Sequence, residues 1–182
     1  MPENAVKSSR RQMLSDTLKE YGREILVVPG KCDGCGGSAG SPDCVEACRA
    51  VNKKKGVEAS MITVREHNDT FIPIFCRNCS HAPCVSACMT GARNRRDSGW
   101  VETDDSRCVG CWMCIMVCPF GAIKRDGEEH TARKCDGCTS EEIPPCVSAC
   151  KQGALKQISA NEFTHNIRLN SAARHFLPAG IK

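Results

Sequence analysis

Aromatic side chains make up only 4% of the 182 residues, with a single tyrosine and two tryptophans. A chain so short of large apolar rings lacks the usual material for a core of this length. No apolar run is long enough for a membrane span or a signal peptide. Ser9-Arg10-Arg11-Gln12-Met13-Leu14 has the look of a twin-arginine motif, but Ser15-Asp16-Thr17-Leu18-Lys19-Glu20 is charged where an export signal is apolar. The expected location is therefore cytoplasmic. Phosphate loop, dinucleotide fingerprint, nucleophile elbow and catalytic triad are all missing.

What the chain has is cysteine. Its sixteen cysteines fall into four groups of four: Cys32, Cys35, Cys44, Cys48; Cys76, Cys79, Cys84, Cys88; Cys108, Cys111, Cys114, Cys118; and Cys135, Cys138, Cys146, Cys150. Each group opens with C-x-x-C and closes with C-x-x-x-C, and no cysteine is left over. The third group, through Pro119, reads C-x2-C-x2-C-x3-C-P, the bacterial ferredoxin run. In that run three thiolates hold one iron–sulfur cubane and the fourth reaches a second cubane. Groups one, two and four have wider central gaps that zinc sites share, but they repeat beside the third. The reading is four [4Fe-4S] clusters, with all sixteen cysteines as iron ligands. A core of this kind is held partly by its metal, so the iron-free chain is expected to be largely unfolded.

The clusters also change the charge. The formal value is +4 with cysteines counted as neutral. Four oxidised cubanes bring the loaded protein to about −4, which removes the case for a nucleic-acid partner.

Around the cysteines the pattern is short and mixed. Residues 8–22 form an amphipathic helix by spacing, either padding the cluster core or docking on a partner. Short strands are expected at Glu24–Val28, Met61–Val64, Phe71–Phe75, Trp100–Thr103, Ala122–Lys124 and Ala154–Lys156, with a turn at Asn68-Asp69. Pro-Cys-Val-Ser-Ala-Cys occurs at 83–88 and again at 145–150. Gly91, Gly121 and Gly153 follow the closing cysteines and suit the left-handed end of a short helix, while the first group departs with Arg49-Ala50-Val51-Asn52. The tail from Ser159 reads as a basic helix with a capping box to Glu162. It either covers the core or extends onto another subunit.

These motifs resemble the four-cluster polyferredoxin electron-transfer subunits of molybdenum and tungsten oxidoreductases. Iron–sulfur subunits of tungsten aldehyde oxidoreductase, formate dehydrogenase, carbon monoxide dehydrogenase and dimethyl sulfoxide reductase are among them. The resemblance covers about residues 26–158. It implies an α+β fold of two ferredoxin-like two-cluster modules with short hairpins and helices, flanked by N- and C-terminal helices. The expected division is a docking segment at 1–25, a core at 26–158 (inner module 71–125, outer module 26–60 with 126–158) and a tail at 159–182. It also implies that groups trade their last cysteine, two with three and one with four. Cys32, Cys35, Cys44 and Cys150 then hold one cluster, and Cys135, Cys138, Cys146 and Cys48 a second. Cys76, Cys79, Cys84 and Cys118 hold the third, and Cys108, Cys111, Cys114 and Cys88 the fourth.

The implied function is a non-catalytic relay of single electrons. It would run between a large catalytic subunit, by preference of the tungsten aldehyde-oxidoreductase type, and a flavin subunit or ferredoxin, with self-association into a cluster chain as a further expectation. The rivals are a free-standing shuttle ferredoxin and a zinc scaffold. Arg49 and Lys151, next to closing cysteines, are expected to raise the potentials of the outer pair, or else to point to solvent. Trp112 and Met113 are expected to shield a cluster, His81 to stay off the iron, and Lys53-Lys54-Lys55 to form a solvated loop.

Overall fold

The computed structural model describes residues 24–35 and 40–176. The helix expected at 8–22 lies outside them. The chain divides into a unit of Val27–Lys156 and a unit of Met1–Leu26 with Gln157–Lys182.

From Glu24 to Ile158 the chain is a mixed α/β arrangement of short helices and two-stranded sheets. Strand β1 (Glu24–Val27) leads into the first cysteine loop. Helix α1 (Asp43–Lys54) follows, and then the hairpin of β2 (Thr63–His67) and β3 (Thr70–Ile74). Asn68 and Asp69 turn that hairpin with φ of 47° and 56°, the left-handed pair that matches the twist of flanking strands. Next come α2 (Pro83–Ser86), the hairpin of β4 (Arg93–Arg95) and β5 (Val101–Thr103), and α3 (Met113–Met116). The hairpin of β6 (Lys124–Arg125) and β7 (Ala132–Arg133), helix α4 (Pro145–Ser148) and strand β8 (Leu155–Ile158) complete it. The three hairpins are antiparallel, and β8 pairs with β1.

Two helix pairs organise the cysteines. α1 packs against α4, and α2 against α3. A core of small side chains lies at the second pair: Ala82, Cys84, Val101, Cys114, Ile123 and Ala132, with Trp112 and Ile115 packed onto it. Cysteine sulfur supplies part of the apolar filling that aromatic rings would otherwise give.

Helix α5 (Ala160–Phe176) belongs to the smaller unit. Its start is capped as expected, with the Ser159 hydroxyl accepting from the Glu162 N–H at 3.2 Å. Ile167 and Leu169 are exposed on it.

Candidate metal centres

Each cysteine group folds alike. A loop carries the first two cysteines, the third is the second residue of a helix, and the fourth comes one turn later. Proline at the first helical position starts α2 and α4, where its missing N–H costs nothing. The third cysteine is buried in every group: Cys44, Cys84, Cys114 and Cys146 are all under 10% exposed, at 6%, 9%, 7% and 9%.

The residue before the second cysteine has positive φ throughout. Gly34, Gly110 and Gly137 stand there at 71°, 64° and 78°, and Asn78 at 46°. At Gly137 the need for glycine is also steric, since a Cβ would lie 2.2 Å from the Trp100 ring. Asn tolerates the left-handed region, and Asn78 uses its amide as well. Its Nδ2 donates to the Gly99 carbonyl at 2.9 Å, and its Oδ1 accepts from the Val101 N–H at 3.0 Å, tying the second loop to β5.

After the closing cysteines the N–H groups of Gly91, Gly121 and Gly153 donate to the carbonyls of Cys88, Cys118 and Cys150 at 3.1, 3.2 and 3.0 Å. The first group, lacking that glycine, continues as the three-turn helix α1. Asn52 then arrives one turn beyond Cys48. Its Nδ2 donates to the Cys48 Sγ at 3.5 Å and to the Ala59 carbonyl at 2.8 Å. The Met61 N–H reaches the same sulfur at 3.2 Å. Sequence reasoning missed Asn52. The available signal was a polar amide where the other three groups place Gly-Ala.

The helix pairs bring cysteines of different groups around shared cavities. One cavity is lined by Cys32, Cys35, Cys44 and Cys150. A second is lined by Cys76, Cys79, Cys84 and Cys118. Cys146 lies near enough to Cys48, Cys138 and Cys44 for their charges to act on it. Cys108, Cys114 and Cys118 gather at the α2–α3 core, Cys111 is exposed, and Cys88 closes its loop beside Thr90.

Burial controls the thiols. It pushes Cys44 up to about 12, helped by Cys35, Cys150 and Cys32, and Cys146 up to about 12, helped by Cys48 and Cys138. Cys138 rises to about 11, again by burial first and then by Asp136. At Cys88 burial also raises the value, but the Thr90 hydroxyl and the N–H groups of Arg93, Thr90 and Ala92 outweigh it, so that thiol falls below its ordinary value. Thiols held as neutral S–H at neutral pH become good ligands when a metal displaces the proton.

The donor set fits an inorganic cluster. All sixteen cysteines are free of disulfides. Among the described residues no three His, Cys, Asp or Glu side chains are grouped for a single metal ion. Four thiolates on one zinc, at about 2.3 Å each, must converge tightly. Cavities ringed by four separated sulfurs suit a body larger than one ion.

The cations beside the closing cysteines point to solvent, one of the two alternatives for them. Arg49 pairs with Glu46 one turn earlier, and Lys151 pairs with Asp43 at 2.9 Å. Both cations are well exposed. Paired with carboxylates and screened by water, they offer little charge to a cluster. Lys53 and Lys54 end α1, where the helix dipole favours cations, rather than forming a loop. Lys53 pairs with Glu58 and Lys55 with Asp136. His81 is exposed. Trp112 is half-buried against the α2–α3 core with Arg125 over its ring at 4.6 Å, whereas Met113 is exposed.

A family described as the 4Fe-4S dicluster domain matches residues 67–159, from the first hairpin through groups two, three and four. The chain belongs to the 4Fe-4S dicluster domain family. An uncharacterized ferredoxin of Methanocaldococcus jannaschii is 36% identical, over 77% of this chain and 75% of the relative. The thiosulfate reductase electron transfer subunit PhsB of Salmonella typhi is 33% identical, over 69% and 70% respectively. The protein NrfC of Escherichia coli K12 is 34% identical over 98% of this chain and 86% of its own, a span that takes in group one. Among solved structures, the active site complex BamBC of benzoyl coenzyme A reductase contains a chain that aligns over 85% of this one and 90% of its own. That likeness is loose, with TM-score 0.41 and 22% identity. Among the described residues no helix is long and apolar enough to cross a membrane.

Proposed function

We propose that this chain is a non-catalytic electron-transfer subunit of an oxidoreductase complex, with four [4Fe-4S] clusters in a row. The observation that carries the reading is the pairing of helices. α1 with α4, and α2 with α3, bring the closing cysteine of one group to the loop of another. In this reading Cys32, Cys35, Cys44 and Cys150 hold one cluster, and Cys135, Cys138, Cys146 and Cys48 its partner. Cys76, Cys79, Cys84 and Cys118 hold a third, and Cys108, Cys111, Cys114 and Cys88 the fourth. The clusters supply reversible one-electron chemistry.

The protein's own part is to bind, orient and shield. The buried third cysteine of each group anchors its site away from water. N–H groups of Asn52, Met61, Gly137 and Leu155 are aimed at the sulfurs of Cys48, Cys135 and Cys150, where they stabilise thiolate charge. The core is residues 26–158, with an inner module at 71–125 and an outer module built from 26–60 and 126–158. Segment 1–25 serves docking, and the tail at 159–182 either covers the core or extends onto another subunit.

A substrate site then belongs to a partner, and the preferred partner is a molybdenum- or tungsten-type catalytic subunit. PhsB, named as an electron transfer subunit of thiosulfate reductase, supports a role inside a larger enzyme. So do exposed apolar side chains around the inner cysteine groups: Met89 at 75%, Val109 at 65%, Met116 at 80% and Phe120 at 46% exposure. Large apolar groups left in water beside a redox centre suit a protein contact.

Anaerobic isolation of the tagged chain from its host tests this reading. A large oxidoreductase subunit should co-purify. Met116→Lys should weaken that association at least about tenfold while iron content holds, as expected for an apolar anchor at an interface. Recovery of a fully loaded, monomeric chain alone would instead favour a free-standing shuttle ferredoxin, and a colourless zinc protein would refute both.

A further inference from the structure

Arg93 and Lys134 are cations inside the larger unit. Arg93 is 1% exposed. Its Nη2 donates to the Ala132 carbonyl at 2.8 Å, while its Nε and Nη1 are buried without a hydrogen-bond partner. Lys134 is 8% exposed, and its Nζ donates to the Cys135 carbonyl at 2.7 Å. Among the described residues neither takes part in an ion pair. A guanidinium stays charged in proteins, and a buried charge with unfilled donors is unfavourable unless an anion faces it.

The fold shows where such an anion belongs. Lys134 lines the cavity of Cys76, Cys79, Cys84 and Cys118. Arg93 and Lys134 are the two cations whose charge acts on Cys84. Strand β4, which Arg93 opens, packs against helix α2, which carries Cys84, and Ala132, whose carbonyl Arg93 binds, shares a core cluster with Cys84. Among the described residues no carboxylate partners these cations, in contrast to the surface pairs Arg49–Glu46 and Lys151–Asp43.

We propose that Arg93 and Lys134 are potential-setting residues that raise the reduction potential of the cluster held by Cys76, Cys79, Cys84 and Cys118, making it the resting place of the electron in the relay. This rests on the reading that the cavity holds a [4Fe-4S] cluster. Such a cluster with its four thiolates is anionic and gains one further negative charge on reduction. Fixed positive charge beside it stabilises the reduced form more than the oxidised one.

The test is an anaerobic redox titration of the loaded protein, followed by electron paramagnetic resonance with iron content measured alongside. In Arg93→Met one midpoint should fall while the others hold. At the wild-type midpoint the reduced-to-oxidised ratio of that cluster should drop about tenfold, about 59 mV for a one-electron couple. Lys134→Met should shift the same cluster in the same direction, and Arg93→Lys should stay near wild type. Wild-type titrations in both methionine variants would overturn the proposal, as would an Arg93→Lys shift as large as that of Arg93→Met. Should Arg93→Met not load its iron, Lys134→Met decides by itself: a lowered midpoint supports the assignment and an unmoved one refutes it. Four clusters present with unmoved midpoints would defeat this inference only. A wild-type protein without cluster signals would defeat the functional reading beneath it as well.

Discussion

Cys150→Ala is expected to remove the cluster of the first cysteine loop, not that of its own. Cys150 sits at the end of α4, but it lines the cavity of Cys32, Cys35 and Cys44. Iron should fall from about sixteen to about twelve per chain, since each cubane takes four cysteines. The double variant Cys32→Ala/Cys150→Ala then separates the two wirings. If both residues serve one cluster, the second substitution adds nothing and iron stays near twelve. If each group closed its own cluster, the double variant would drop to about eight. The same logic applies to Cys76 with Cys118. Iron and acid-labile sulfide analysis of anaerobically prepared variants reads the result directly.

Gly137→Ala is expected to damage the protein severely for the addition of a single methyl group. The backbone there has φ of 78°, and the new Cβ would stand 2.2 Å from the rigid, buried Trp100 ring. The left-handed conformation costs about 1–2 kcal/mol for a non-glycine residue, and overpacking adds about 1–3 kcal/mol. The combined loss of about 2–5 kcal/mol falls on the loop between Cys135 and Cys138. It should appear as much faster bleaching of visible absorbance in anaerobic denaturant. Gly127→Ala is the control, because nothing lies within 4 Å of its added Cβ. Equal bleaching rates for the two variants would contradict the close-packing account.

Local features were legible where one residue type has one physical use. Asn68-Asp69 announced a hairpin turn, and the hairpin of β2 and β3 is built on it. The Gly-Ala pairs after the closing cysteines announced left-handed helix ends, and Gly91, Gly121 and Gly153 adopt them. Ser159 and Glu162 announced the start of α5. The departure in group one was visible, but its consequence was not. Without glycine α1 continues, and the extra turns deliver Asn52 to the Cys48 sulfur.

Charge was read least well, because its effect depends on partners that only folding assembles. Glu46 stands three residues before Arg49, a spacing that already implied a helical ion pair. Lys151 and Asp43 lie far apart in the chain, and no local pattern joins them. Arg93 opens the run Arg93-Asn94-Arg95-Arg96, in which no local pattern marks one arginine as buried. Yet pairing of β4 with β5 leaves Arg93 among the most deeply buried side chains in the protein. The proposed wiring of the clusters comes from resemblance, since spacing alone does not say which helix meets which.

The most direct measurement is iron, sulfide and zinc per polypeptide in anaerobically purified protein, with electron paramagnetic resonance of the reduced form. The account predicts about sixteen irons, an equal amount of acid-labile sulfide and spectra of interacting [4Fe-4S] centres. Iron well below that level in intact protein, or zinc bound in its place, would contradict it.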